Sequence, residues 1–361
     1  MRIIICLSFF FTLFITGQCQ GQDIFIKSKD SHIHYMGRVD KQDNTAQLSW
    51  PGTNLTINFK GTGVKALLRD ERGDNFYTVI VDGQVTGTIH LEKEKKSYHL
   101  ASGLSAGEHH LQLFKRTEWD KGKTWFYGFQ LAQGSVLLPA PIEKKHKIEF
   151  FGNSITCGYA VEDSSGKDRG TAPYENNYIS YAAITARHFD AEYYCIAKSG
   201  IGVMVSWFPL IMPEMYNRLD ATDEHSRWNF KNYTPDVVVI NLFQNDSWIV
   251  KIPDNEQFKA RFGTAAPKPA FIIKAYQNMV VKIRSAYPKA EIICALGSMD
   301  ATALGAPWMG YIEQAVKNIG DDKIHTLCFP YKNRPGHPNV KEQQDMADLL
   351  IPYIEKLTGW N

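Results

Sequence analysis

The feature that most limits how this 361-residue chain can fold is a change of hydrophobic period near residue 142. Before it, apolar residues alternate in short runs: Leu55, Ile57 and Phe59; Tyr77, Val79 and Val81 ahead of Asp82-Gly83; Leu111 and Leu113; Trp125, Tyr127, Phe129 and Leu131. Period-two runs broken by turns predict an antiparallel, jelly-roll-like β-sandwich over residues 22–142. Pro139-Ala140-Pro141-Ile142-Glu143-Lys144-Lys145 then interrupts the pattern, because its prolines cannot sit in a central strand. After this linker, strand-like runs at 147–151, 192–197, 236–242, 291–296 and 323–329 alternate with helical spacing, as at Ile272, Ala275, Tyr276, Met279, Val280, Ile283 and Tyr287. Asn176 or Asn177 is placed to cap a helix running to His188. Such alternation predicts a parallel α/β sheet over residues 143–361, with chemistry at the carboxyl ends of its strands.

Residues 1–21 carry a single charge, Arg2, and the apolar run Ile3 to Ile15, followed by small and polar residues. This is the pattern of a secretory signal peptide, with the mature chain starting near Gln20 or Gln22 and no transmembrane segment left in it. A lipid-anchored Cys19 is the alternative, disfavoured by Gln18, which is not small. The expected location is secreted or periplasmic, with an outer-membrane lipoprotein anchored through Cys19 as the less favoured alternative. Outside the leader, Cys157, Cys195, Cys294 and Cys328 lack metal-ligand spacing, and three of the four lie in apolar runs and read as buried small hydrophobes. With 40 Lys+Arg against 38 Asp+Glu, the net charge of +2 gives no reason to expect nucleic acid as a partner.

In Ile148-Glu149-Phe150-Phe151-Gly152-Asn153-Ser154-Ile155-Thr156-Cys157-Gly158-Tyr159 a strand ends on a glycine and delivers a hydroxyl to a turn. A serine nucleophile needs a base, and Gly336-His337-Pro338 supplies an imidazole just before a helical pattern. Lys198-Ser199-Gly200-Ile201-Gly202 follows the second strand and Phe243-Gln244-Asn245-Asp246 the third, offering N–H donors for an oxyanion. Asp246 is expected to brace its loop by accepting backbone hydrogen bonds.

These four segments resemble the serine, glycine, asparagine and histidine blocks of the SGNH (GDSL-type) hydrolases. The preceding sandwich, with Lys115-Arg116-Thr117-Glu118 and Gly128-Phe129, and the phrase from Ile148 to Tyr159 are similar to carbohydrate esterase family two. The resemblance implies a flavodoxin-like catalytic domain that removes O-acetyl groups from plant cell-wall polysaccharide, such as xylan or glucomannan, through an acyl-enzyme and without metal or cofactor. It implies Ser154 as nucleophile, His337 as base, and the backbone N–H groups of Ser154 and Gly200 with the Asn245 amide as oxyanion hole. An acetylated poly- or oligosaccharide would be the partner.

Three positions depart from the family pattern: Asn153 stands for Asp, Phe243 for the glycine of the third block, and Arg334 for the Asp three residues before the histidine. A cation cannot accept the imidazole N–H, so the sequence predicts a Ser154–His337 dyad with a backbone carbonyl of the 333–336 turn orienting the ring, and Asp345 and Asp348 as solvated helix carboxylates. Trp207, Trp248 and Trp308 are candidate sugar platforms, with Trp308 and Trp248 preferred for substrate binding. Two other readings stay open: a noncatalytic carbohydrate-binding protein derived from an esterase, and an SGNH esterase or lipase of other specificity.

Overall fold

The computed structural model describes residues 23–361, so the leader and Cys19 lie outside the described residues. Two six-stranded antiparallel sheets come first. One runs Val39–Lys41, Ala46–Leu48, Thr124–Leu131, Gly63–Asp70, Lys96–Ser102, with Ile24–Lys27 also on Thr124–Leu131. The other runs Val136–Leu137, Asn54–Lys60, Glu108–Lys115, Phe76–Val81, Gln84–His90, with His34–Met36 also on Asn54–Lys60. Leu55, Ile57, Phe59, Leu111 and Leu113 point inward onto Ala66, Leu68, Phe126 and Phe129, which is the interdigitated core of a sandwich.

One inward run differs from expectation. A bulge between Phe126 and Gly128 shifts the register against Gly63–Asp70, so Phe126, Phe129 and Leu131 are buried while Trp125 and Tyr127 turn to the other face. There Arg69 and Lys95 lie over their rings. Gly128 is required at the bulge, since at φ +156° a Cβ would stand 2.2 Å from the Ile26 carbonyl oxygen.

Five parallel strands follow, in the spatial order Ala191–Ala197, His146–Gly152, Val237–Asn241, Glu291–Leu296, Ile324–Cys328. This 2-1-3-4-5 order is flavodoxin-like, and it puts the switch point at the carboxyl end of His146–Gly152, immediately before Ser154. Helices Tyr181–His188 and Val340–Thr358 cover one face, and Pro269–Ala286 and Trp308–Ile319 the other. Ser180, rather than Asn176 or Asn177, caps Tyr181–His188; Asn176 caps a single 3₁₀ turn before it. Cys157, Cys195 and Cys294 are buried, Cys328 is exposed, and all four are unpaired.

The sandwich and the α/β part share buried contacts. Met36, Ile80 and Phe114 join the core around Ile148 and Phe150, while Trp50 joins that around Phe151 and donates to the Leu219 carbonyl at 2.7 Å. Arg38, fully buried, pairs with the equally buried Glu149 at 2.9 Å and donates to the carbonyls of Tyr216 and Arg218.

Candidate active site

Ser154 opens a four-residue helix, Ser154–Cys157, at the end of the first parallel strand. Asn153 caps it through Oδ1, which accepts the Ile155 N–H at 3.0 Å, so the amide does the bracing expected of an aspartate at that place. Gly152 has to be glycine. A Cβ there would lie 2.0 Å from Thr156 Oγ1, whose hydroxyl is itself hydrogen-bonded to Tyr181 at 3.0 Å. Gln343, from the last helix, accepts the Tyr181 N–H and donates to the Ile155 carbonyl, pinning the turn from below.

His337 lies 183 residues downstream, and its Nε2 is 2.8 Å from Ser154 Oγ. Its Nδ1 does not meet a backbone carbonyl. Asp168 takes that place, with Oδ2 2.9 Å from Nδ1 and Oδ1 accepting the His337 backbone N–H at 2.8 Å. The expected dyad is therefore replaced by a serine–histidine–aspartate geometry. Partial burial pushes the Asp168 carboxyl up, but the hydrogen bonds and charge of His337 outweigh it and hold the group below the usual aspartate value. Tyr159 packs on the imidazole, ring centroids 4.4 Å apart, which keeps bulk water from one side of it.

Asp168 sits on the segment 158–176 that follows the helix Ser154–Cys157. Asp163 organises that segment by accepting from the Ser165 N–H and hydroxyl, the Arg169 N–H and the Arg169 guanidinium. Arg334 turns away from the imidazole, binding Glu342 and the His337 carbonyl oxygen, the latter at 2.9 Å. Asp345 pairs with Lys341, and Asp348 accepts from Gln344, so neither reaches His337.

The donor side is built by two segments. Gly200 has φ +81°, a left-handed conformation, and its N–H has no acceptor among the described residues. The N–H of Gly202 is taken by Ser206 Oγ at 2.9 Å, which leaves Gly200 as the available donor. Asp246, fully buried, accepts the N–H groups of Val203, Met204 and Val205 and so holds the 200–207 segment. Burial pushes its carboxyl up to about 6 against the opposing pull of those N–H groups. Asn245 donates one amide hydrogen to the Ile201 carbonyl at 2.8 Å and accepts from Trp207 Nε1 at 3.1 Å, leaving its second hydrogen uncommitted. The missing glycine at Phe243 does not disturb this: the phenylalanine itself adopts φ +84°, anchored by Tyr276 and Trp308 at centroid distances of 4.8 and 5.2 Å.

That packing overturns one expectation. Trp308 is only 4% exposed and wedged behind Phe243, so it cannot offer a face to a sugar. Trp248 is half-buried with Nε1 bound to Asp300 at 2.8 Å. Trp207 is 45% exposed beside Gly200 and Asn245. A cleft of about 470 Å³, lined by His337, Asp168, Glu162, Asp163, Arg334 and Lys341 among others, opens on the imidazole side.

A family described as carbohydrate esterase 2 N-terminal matches residues 35–141. The structure of a family two carbohydrate esterase from Clostridium thermocellum in complex with cellohexaose is similar over 91% of this chain and 100% of that one, at 35% identity and TM-score 0.81. The chain belongs to carbohydrate esterase family two. The cellulase/esterase CelE of Acetivibrio thermocellus is 35% identical over 342 residues, covering 91% of this chain but only 40% of that longer protein. An acetylxylan esterase/glucomannan deacetylase of Cellvibrio japonicus is 25% identical over 344 residues, 93% of this chain and 91% of its own. This family-two chain is accordingly a carboxylic-ester hydrolase. Among its described residues no helix is long and apolar enough to cross a membrane.

Proposed function

We propose that this family-two esterase is an exported O-acetylesterase of plant cell-wall polysaccharide such as xylan or glucomannan, working through a Ser154–His337–Asp168 triad. The observation that carries the reading is the continuous line from Ser154 Oγ through both imidazole nitrogens to the Asp168 carboxylate. The apolar run Ile3 to Ile15 supports export, and the relatives acting on acetylxylan and glucomannan support the substrate class.

Ser154 Oγ attacks the acetyl carbonyl carbon as its proton passes to His337 Nε2, and Asp168 stabilises the resulting imidazolium through Nδ1. The carbonyl oxygen becomes an oxyanion received by the Ser154 and Gly200 N–H groups and the free Asn245 hydrogen. Collapse breaks the bond to the sugar oxygen, which leaves with the proton from Nε2 as a free hydroxyl. Water, deprotonated by the same nitrogen, attacks the acetyl-serine and releases acetate. The cleft beside His337 carries Glu162, Asp163 and Lys341 as hydrogen-bond partners for the leaving carbohydrate, and the exposed Trp207 ring beside Gly200 and Asn245 is an aromatic face for a sugar.

The test is acetate release from acetylxylan and acetylated glucomannan by the whole chain and by Ser154→Ala. Loss of turnover on the order of 10⁶ in the variant, with an unchanged melting curve, is expected. Retention of a tenth of the activity would remove Ser154 from its role.

A further inference from the structure

We infer that Glu118, a residue of the sandwich, positions the oxyanion donor at Gly200. The inference rests on the oxyanion role proposed above. Glu118 reaches out of the sandwich, just past the strand Glu108–Lys115, and its carboxylate accepts the Ser199 N–H at 2.7 Å with one oxygen and the Ser199 hydroxyl with the other. The two bonds fix both the peptide before Ser199 and the side-chain rotamer of Ser199. The peptide that carries the Gly200 N–H is the next one. It is held on its far side by the Trp207 N–H on the Gly200 carbonyl at 3.1 Å, and at Lys198 by the Ile201 N–H on that carbonyl at 3.3 Å. Glu118 therefore fixes the N–H end of the peptide that precedes the one carrying the Gly200 N–H, while Ile201 holds its carbonyl end.

The setting of Glu118 argues against simple packing. It is 1% exposed and lies beside two further carboxylates, Asp120 and Glu175, in a place where an apolar side chain would avoid the desolvation of a charge. Cations offset that charge without taking the carboxylate from Ser199. Lys121 Nζ lies between Asp120 at 3.0 Å and Glu175 at 2.8 Å. Lys115 Nζ donates to the Thr117 carbonyl at 2.8 Å and to that of Glu118 at 3.3 Å, fixing the backbone from which Glu118 projects. Lys198 is stacked between the Trp119 and Phe208 rings at 4.0 and 4.1 Å. The neighbouring Arg116 binds Glu162 on the segment that carries Asp168, so one turn of the sandwich touches both halves of the catalytic arrangement.

The experiment measures kcat and KM for acetate release by the full chain, with Glu118→Ala, Glu118→Gln, Ser199→Ala and, as blank, Ser154→Ala, each below its own melting temperature. Removing an oxyanion donor outright lowers kcat by about 10²–10³, so a donor that is present but loosely aimed should lower it by about 10–100-fold in Glu118→Ala at unchanged KM. Glu118→Gln should recover most of this, because its carboxamide oxygen still accepts the Ser199 N–H, and Ser199→Ala should fall between. Wild-type kcat in Glu118→Ala, whatever its melting temperature, overturns the inference while leaving the esterase reading intact. Should Glu118→Ala fail to fold, wild-type kcat in Ser199→Ala overturns it instead. Wild-type activity in Ser154→Ala would overturn the esterase reading and this inference together.

Discussion

In the proposed triad, a histidine that removes a proton from Ser154 through Nε2 must carry its own proton on Nδ1, and Asp168 is the group placed to fix that tautomer. Asp168→Asn keeps an oxygen for the His337 backbone N–H but can present an amide hydrogen to Nδ1, so the fold should persist while turnover falls on the order of 10³–10⁴. Steady-state acetate release beside a melting curve measures both. Because the Asp168 carboxyl is held low in the folded state, its contribution to stability is present above the ordinary value of about 3.9 and is lost as pH falls through the lowered one. The gap in Tm between wild type and Asp168→Asn should thus close as pH falls below about 4. A gap that persists at that pH would contradict a carboxylate held by these bonds. Ser154 and His337 were legible in the sequence because each stands at a boundary between periodic segments. Asp168 was not: it lies in a polar, turn-rich stretch whose shape comes from the Asp163 bonds and from a left-handed backbone at Asp168, φ +57°, none of which leaves a spacing signal.

Elements show the same division. Strand positions followed from apolar runs, and the buried face of Pro269–Ala286 followed from helical spacing, but Trp308 was misplaced because Ala301 to Pro307 reads as an exposed loop whichever way the next ring turns. Phe243 explains that ring. A non-glycine residue at φ +84° stores about 1–3 kcal/mol of strain, which Tyr276 and Trp308 stabilise by enclosing the side chain completely. Phe243→Gly removes the strain but empties the enclosure, and deletion of a buried phenylalanine costs about 3–5 kcal/mol. A net loss of about 1–3 kcal/mol in denaturant unfolding is expected, with KM unchanged because Asn245 keeps its bonds to Ile201 and Trp207. Gly152→Ala acts on the turn that carries Ser154, where the added methyl meets Thr156, and should reduce both Tm and kcat. Equal kcat in that variant would show that the turn tolerates displacement.

At the scale of the molecule, the buried Arg38–Glu149 pair joins sandwich to sheet. Arg38→Ala strands a buried carboxylate and should cost about 3–5 kcal/mol, whereas Arg38→Met with Glu149→Leu should regain most of it; equilibrium unfolding of the three proteins decides. The linker of residues 139–145 predicted two joined parts but not how they meet, since Arg38, Trp50 and Glu118 carry no periodic mark of an interface. Arg38 also has a consequence for the chain as it is made. Its carbonyl partners at Tyr216 and Arg218 are synthesised at least 178 residues later (216 − 38), which at roughly 5–20 residues per second is a delay of roughly 10–35 s. Until then the Trp50 indole and Nη1 of Arg38 lack their carbonyl partners, and so this face of the sandwich stays unfinished until residues 216–219 have been added to the chain.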